Sequence, residues 1–216
     1  MTLDATQPSV GVELVFNEAD NTWNLVSTGE ALAPPLIHAE IRAHATLSAT
    51  LFNDMTVNMY AGELAIDAWQ NAVFAELKDG HIANAMFANG GADLSPQAIA
   101  RVEATIAKEA GFLAEFAEGV SNGTVSELQA RARATQYSKA MEQSYWNEWQ
   151  DGIANTAEFD HLPLLTQSPG DGQTQCRGNC ACILEATDSG INWLLFPAEH
   201  CPDCEALAAG SPYRTL

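Results

Sequence analysis

The chain has 216 residues, with nine lysines and arginines against 28 aspartates and glutamates, for a formal net charge of −19. Such a surface repels nucleic-acid phosphates and anionic lipid headgroups unless basic residues cluster, and excludes a general polyanion binder. Hydrophobic residues at 47% and charged residues at 17% supply a buried core for one domain, or one domain with a small appendage, and exclude a mainly disordered chain.

The only stretch that is not acidic is residues 131–149, where two acids meet three bases, Arg131, Arg133 and Lys139. Three such bases read as a solvated helix face rather than a docking patch. No run approaches the roughly 18 uninterrupted apolar residues of a membrane span. Met1 to Ser9 holds no basic residue followed by an apolar block, so the chain is expected to be soluble and unexported.

In chain order, Val10, Val12, Leu14 and Phe16 alternate with other residues, Asn17 to Asn21 is rich in turn formers, and Thr22 to Val26 returns, which predicts an opening β-hairpin. Pro34-Pro35 then starts a helix, and the apolar period becomes helical: Ile37, Ile41, Ala45, Leu51 and Met55 up to about Tyr60, continued from Gly62 to Leu77 by Leu64, Ile66, Trp69 and Val73, with an end expected at Lys78-Asp79-Gly80. Ser95-Pro96 marks a third helix start, and Ile99, Val102, Ile106, Leu113, Phe116 and Val120 follow on one broad face until Gly123. Thr124 and Glu127, spaced as a capping box, restart a helix that runs to Trp149. The two long helices flanking Gly123 are expected to fold back as an antiparallel pair, with Phe112, Phe116, Tyr137 and Met141 in the core of a body of about four helices. From Asp160 proline, glycine and polar residues give a connecting loop. Ile183 to Glu185 and Ile191 to Phe196, flanking Thr187 to Gly190, predict a second hairpin.

All five cysteines lie between Cys176 and Cys204, a concentration that suits a local metal site better than a disulfide framework. Cys201-Pro-Asp-Cys204 brings two thiols to one ion, and a second pair about 20 residues upstream completes a tetrahedron, the spacing of a structural zinc site. The upstream pair is Cys176 with Cys180, Cys180 with Cys182, or Cys176 with Cys182; the preferred set is Cys176, Cys180, Cys201 and Cys204, because Cys182 begins a strand. Five thiols and His200 exceed the four positions of zinc, so not all of them are ligands. Metal binding is expected to be coupled to the folding of residues 176–204.

No catalytic constellation stands out. His38, His44, His81, His161 and His200 show no metalloprotease spacing and are expected to be exposed or capped; no phosphate loop or nucleophile elbow occurs. With no acid or base set apart beside an open coordination position, the sequence predicts no enzyme. A zinc-dependent nucleic-acid module is disfavoured, since residues 171–210 carry only Arg177 as a base. The result is an α+β, mainly α protein in three units: an N-terminal β-hairpin and linker (1–34), a helical body (35–160), and a small zinc-ribbon-like hairpin with its tail (161–216).

The segment Pro169-Gly-Asp-Gly-Gln-Thr-Gln-Cys176-Arg-Gly-Asn-Cys180-Ala-Cys182, with Glu199-His200-Cys201-Pro202-Asp203-Cys204 and the tail Gly210-Ser211-Pro212-Tyr213, resembles the C-terminal end of tailed-phage minor head and head-morphogenesis-type virion proteins. Ala114 to Gly119, Gln129 to Ala134 with Tyr137, and the opening hairpin from Trp23 to Gly29 are similar to other parts of that family. The chain departs from the family in its shortness and in carrying Ala181 where such motifs often have arginine. The resemblance implies a non-enzymatic, multi-copy virion component, assembled in the host cytoplasm. Its expected partners are other phage structural proteins (capsid, portal or neck), with no membrane contact and no direct nucleic-acid readout. It leaves open the station: outer decoration, internal head, portal or neck. The rival readings are a zinc-binding regulatory or protein-interaction module and, ranked below it, a metalloenzyme for which Glu199 and His200 would be the nominal acid or base.

Overall fold

The computed structural model describes residues 14–17, 22–26, 29–30, 34–91, 93–153, 161–171, 173–175, 180, 182–195 and 199–214. Among these the chain is mainly helical, with six helices and two antiparallel two-stranded hairpins. No helix among the described residues is long and apolar enough to cross a membrane.

Strands β1 (Leu14–Asn17) and β2 (Thr22–Leu25) pair from Leu14↔Leu25 to Asn17↔Thr22. Helix α1 (Pro34–Tyr60) opens on two prolines, which sit where an amide has no intrahelical acceptor. Its buried residues Ile37, Ile41, Ala45, Ser48, Phe52, Thr56 and Met59 recur every three or four positions and form one stripe. Gly62, at φ +77°, ends the helix by turning the chain left-handed, and the Glu63 amide donates back to the Asn58 carbonyl at 2.9 Å.

Helix α2 (Ile66–Ala88) buries Trp69, Val73 and Leu77 and runs on through Lys78-Asp79-Gly80, where the sequence predicted its end, because Gly80, His81 and Asn84 are buried by the segments packed on it. At Gly80 a Cβ would overlap the sulfur of Met141, so glycine is what lets the two segments approach. Helix α3 (Pro96–Ser121) starts as its sequence directs: Ser95 Oγ accepts from the Ala98 amide at 3.1 Å, and Pro96 takes the first helical position. Phe116 is buried on α3 while Phe112 is 45% exposed, with the Lys108 ammonium 5.9 Å from its ring centroid. The expectation for Phe112 is therefore corrected. Buried Leu113, Phe116 and Ala117 define the inward face, and Phe112, one position short of it, rotates out.

The segment after Gly123 differs from its sequence reading in three ways. The capping box is made by Ser126 and Gln129 rather than Thr124 and Glu127, so helix α4 (Glu127–Ala140) begins later. Thr124 instead caps the end of α3, its hydroxyl donating to the Gly119 carbonyl at 3.1 Å. Nor is the stretch one helix: α4 gives way at Met141 to α5 (Glu142–Ile153). The Met141 carbonyl accepts from Asn84 Nδ2 at 2.9 Å and from the Ser144 amide at 3.3 Å, which takes it out of the regular helical ladder. Finally, α4 packs chiefly along α1, and α3 along α2, in place of an α3–α4 pair. The Tyr60 hydroxyl fixes the entry of α4 by donating to the Val125 carbonyl at 2.8 Å.

Strands β3 (Ile183–Thr187) and β4 (Gly190–Leu194) form the second hairpin across Asp188-Ser189, with Gly190 at φ +125°. Helix α6 (Pro202–Gly210) follows, an element not included in the sequence reading. The chain then returns to β4: Ile191 and Tyr213 exchange two backbone hydrogen bonds of 2.8 Å, and Arg214 bonds both Pro163 and Leu165 through its backbone. The core falls into two main apolar clusters. One, inside the helices, holds Phe52, Trp69, Leu77, Leu113, Phe116, Tyr137 and Met141. The other joins Ile37, Ile41, Tyr145, Trp146 and Trp149 of the helices to Cys180, Cys182, Cys204 and the β3–β4 hairpin.

Candidate metal centre

Two short segments bring the sulfurs together. Cys180 and Cys182 lead directly into β3, which begins at Ile183. Cys201 is the N-cap of α6 with Pro202 at the first helical position, so Cys201 and Cys204 lie one turn apart on the same side of the helix start. Antiparallel pairing of β3 with β4 then closes the distance between the two segments.

The thiols of Cys180, Cys182 and Cys204 lie within 4.8 Å of one another and are buried, at 2%, 0% and 0% exposure. Cys180 Sγ is 3.6 Å from Cys204 Sγ, and Cys201 Sγ, half-buried, is 3.5 Å from Cys204 Sγ. His200 Nδ1 stands 3.5 Å from Cys182 Sγ. None of the four described cysteines is in a disulfide. Three buried cysteines thus lie close enough to bind a metal ion.

The sequence-derived set is brought together in part. Cys204 stands beside both Cys180 and Cys201, while Cys176 lies outside the described residues. Cys182, set aside in the sequence reading as the start of a strand, stands one residue before the strand and joins the cluster. The hydrogen bond with Cys180 and burial both push the Cys182 thiol up, while the neighbouring Trp193 indole acts in the opposite sense. A thiol in that setting stays protonated until a cation replaces its proton. Trp193 Nε1 is buried without a hydrogen-bond partner of ordinary geometry among the described residues, so its approach to Cys182 is not a formed hydrogen bond to a neutral thiol.

Two residues that the spacing of cysteines does not reveal complete the surroundings. Arg42, on α1, donates from Nη2 to the Cys180 carbonyl, and its Nε is 4.0 Å from the Glu142 carboxylate on α5. The cluster is thereby tied to two helices. Trp193 forms part of the apolar wall together with Trp146 and Trp149. Comparison with protein-family models, curated proteins and solved structures finds no match for the chain.

Among the described histidines His161 is exposed as expected, and His81 departs from the expectation. His81 is fully buried rather than exposed or capped, with Nδ1 2.8 Å from Ser144 Oγ. It is a core residue that joins α2 to α5 through Ser144.

Proposed function

We propose that the protein is a non-catalytic structural component of a tailed-phage particle, whose C-terminal unit is fixed by one zinc ion held by Cys180, Cys182, Cys201 and Cys204. The observation that carries the metal reading is the convergence of three buried thiols with a fourth 3.5 Å from Cys204. Zinc bound at about 2.3 Å to four sulfurs sets them about 3.8 Å apart. The contacts of 3.5 and 3.6 Å already approach that value. Four sulfurs leave no open position for water or substrate, which makes the ion a structural clamp rather than a Lewis acid at work. The β3–β4 hairpin and α6, with cysteines at their bases, then act as a zinc-ribbon-like unit.

The virion assignment is supported by the family resemblance of residues 169–182 and 199–213, and by the charge of −19, which fits basic protein surfaces as partners. The two parts are tested separately. Metal analysis of purified protein is expected to find one zinc per chain. Mass spectrometry of purified particles is expected to find the chain in virions or procapsids. Absence from both removes the virion assignment and leaves a zinc-stabilised interaction module.

A further inference from the structure

Cys182 and Trp193 lie on one face of the second hairpin. The register pairs Leu184 with Trp193, so Cys182, two residues before Leu184, is the diagonal neighbour of Trp193, a separation that aromatic side chains span. Cys182 is 0% and Trp193 1% exposed, so water does not reach either side chain. An indole nitrogen is a donor only, and Trp193 Nε1 has no partner among the described residues. Buried donors left in this state are rare in folded proteins and call for an acceptor. A neutral thiol is a weak acceptor, whereas a metal-bound thiolate is charged and strengthens any hydrogen bond that it receives. A second nitrogen, His200 Nδ1, stands 3.5 Å from the same sulfur.

We propose that Trp193 donates its indole N–H to the thiolate that Cys182 presents to the metal, so that the fold is built for the charged form of this cysteine in particular. The inference rests on the zinc reading above and deepens it. It singles out Cys182, among the five thiols, as a resident ligand with its own outer-shell donor, and it gives the unpaired indole a function. Trp193 acts through Cys182 and is a positioning residue. Outer-shell donors of this kind commonly carry about 10- to 100-fold of a site's metal affinity.

The test uses the full chain, labelled with nitrogen-15 at tryptophan, and W193F, which keeps an aromatic ring and loses the donor. On addition of zinc, the Trp193 indole proton is expected to move downfield, its resonance being identified by its loss in W193F. In competition with a chromophoric chelator, W193F should bind zinc at least 10-fold more weakly, and its cobalt-substituted form should show a shifted sulfur-to-cobalt charge-transfer band. In a C182S background, W193F should cost no further affinity, because the acceptor is already gone. Wild-type and W193F affinities within twofold of each other, with an indole proton unmoved by zinc, overturn the inference while leaving the zinc reading in place. A wild-type chain that binds neither zinc nor cobalt overturns both. If W193F does not fold, the response of the indole proton in the wild type decides alone.

Discussion

His81 offers a sharp test of the buried polar layer between α2 and α5. Its side chain is fully buried, and burial pushes its pKa down from 6.5 to about 4. In the unfolded chain the imidazole protonates at its ordinary pKa, so the folded state gains nothing from this group above pH 6.5 and loses stability as pH falls towards 4. At 1.36 kcal/mol per unit, the span of 2.5 units corresponds to about 3 kcal/mol. Glu142, three residues further along than Lys139 and 5% exposed, runs the other way: burial pushes its carboxyl up from 4.5 to about 7, against the Arg42 charge that lowers it. Its contribution is present below pH 4.5 and is lost as pH rises to 7, by about 3 kcal/mol again. Between pH 4.5 and 6.5 the two slopes cancel. Relative to wild type, the His81→Asn variant, which keeps a polar partner for Ser144, should therefore gain stability as pH falls: the difference between the two changes by about 3 kcal/mol from pH 7 to 4, in favour of the variant. Glu142→Gln should show a difference of the same size that grows in favour of the variant towards pH 7.5. Urea unfolding followed by far-ultraviolet circular dichroism, in excess chelator so that metal binding adds no pH dependence, measures both. Parallel pH profiles for wild type and His81→Asn would refute the reasoning.

Three further outcomes follow from the packing. Phe116→Ala should cost roughly 3 to 5 kcal/mol in urea unfolding, because the ring packs 5.7 Å from Trp69 and 6.3 Å from Tyr137, whereas exposed Phe112→Ala should cost under about 1 kcal/mol. Gly80→Ala should destabilise by roughly 1 to 3 kcal/mol through overlap with Met141, and its cost should shrink in a Met141→Ala background when the two are compared in a double-mutant cycle. Cys204→Ser should abolish tight zinc binding, as read by chelator competition, while Cys176→Ser should leave one zinc per chain; the reverse pattern would exchange the two cysteines in the ligand set.

Local signals carried much of the helical layout. The Ser95-Pro96 start of α3 depends on short-range chemistry, and a sequence records such chemistry directly. Features decided between distant residues were not legible. The break at Met141 has no proline or glycine to announce it, since it is made by Asn84, 57 positions away. Phe112 and Phe116 both fit an apolar face of α3, and only the neighbours chosen by that helix separate them. The same holds at the thiols. Paired cysteines marked the region, but the place of Cys182 within the cluster follows from the start of the hairpin beside it, and the Arg42 anchor follows from α1 packing beside the cluster.

Residues 211–214 carry a consequence for how the proposed metal site would respond to loss of an ion. Backbone hydrogen bonds tie Tyr213 to Ile191 and Arg214 to Pro163 and Leu165, and the Ser211 hydroxyl accepts from the Trp193 amide at 2.8 Å. The thiol-bearing segments therefore lie inside loops whose ends are already joined. Closing those loops is the main entropic obstacle in small zinc modules that are unfolded without metal, and here the backbone meets that cost before any ion arrives. The coupling expected from cysteine spacing alone is accordingly weakened: chelation should soften the cluster while the hairpin persists, and zinc should return to a prepared site at a rate set by entry of the ion rather than by refolding of the chain.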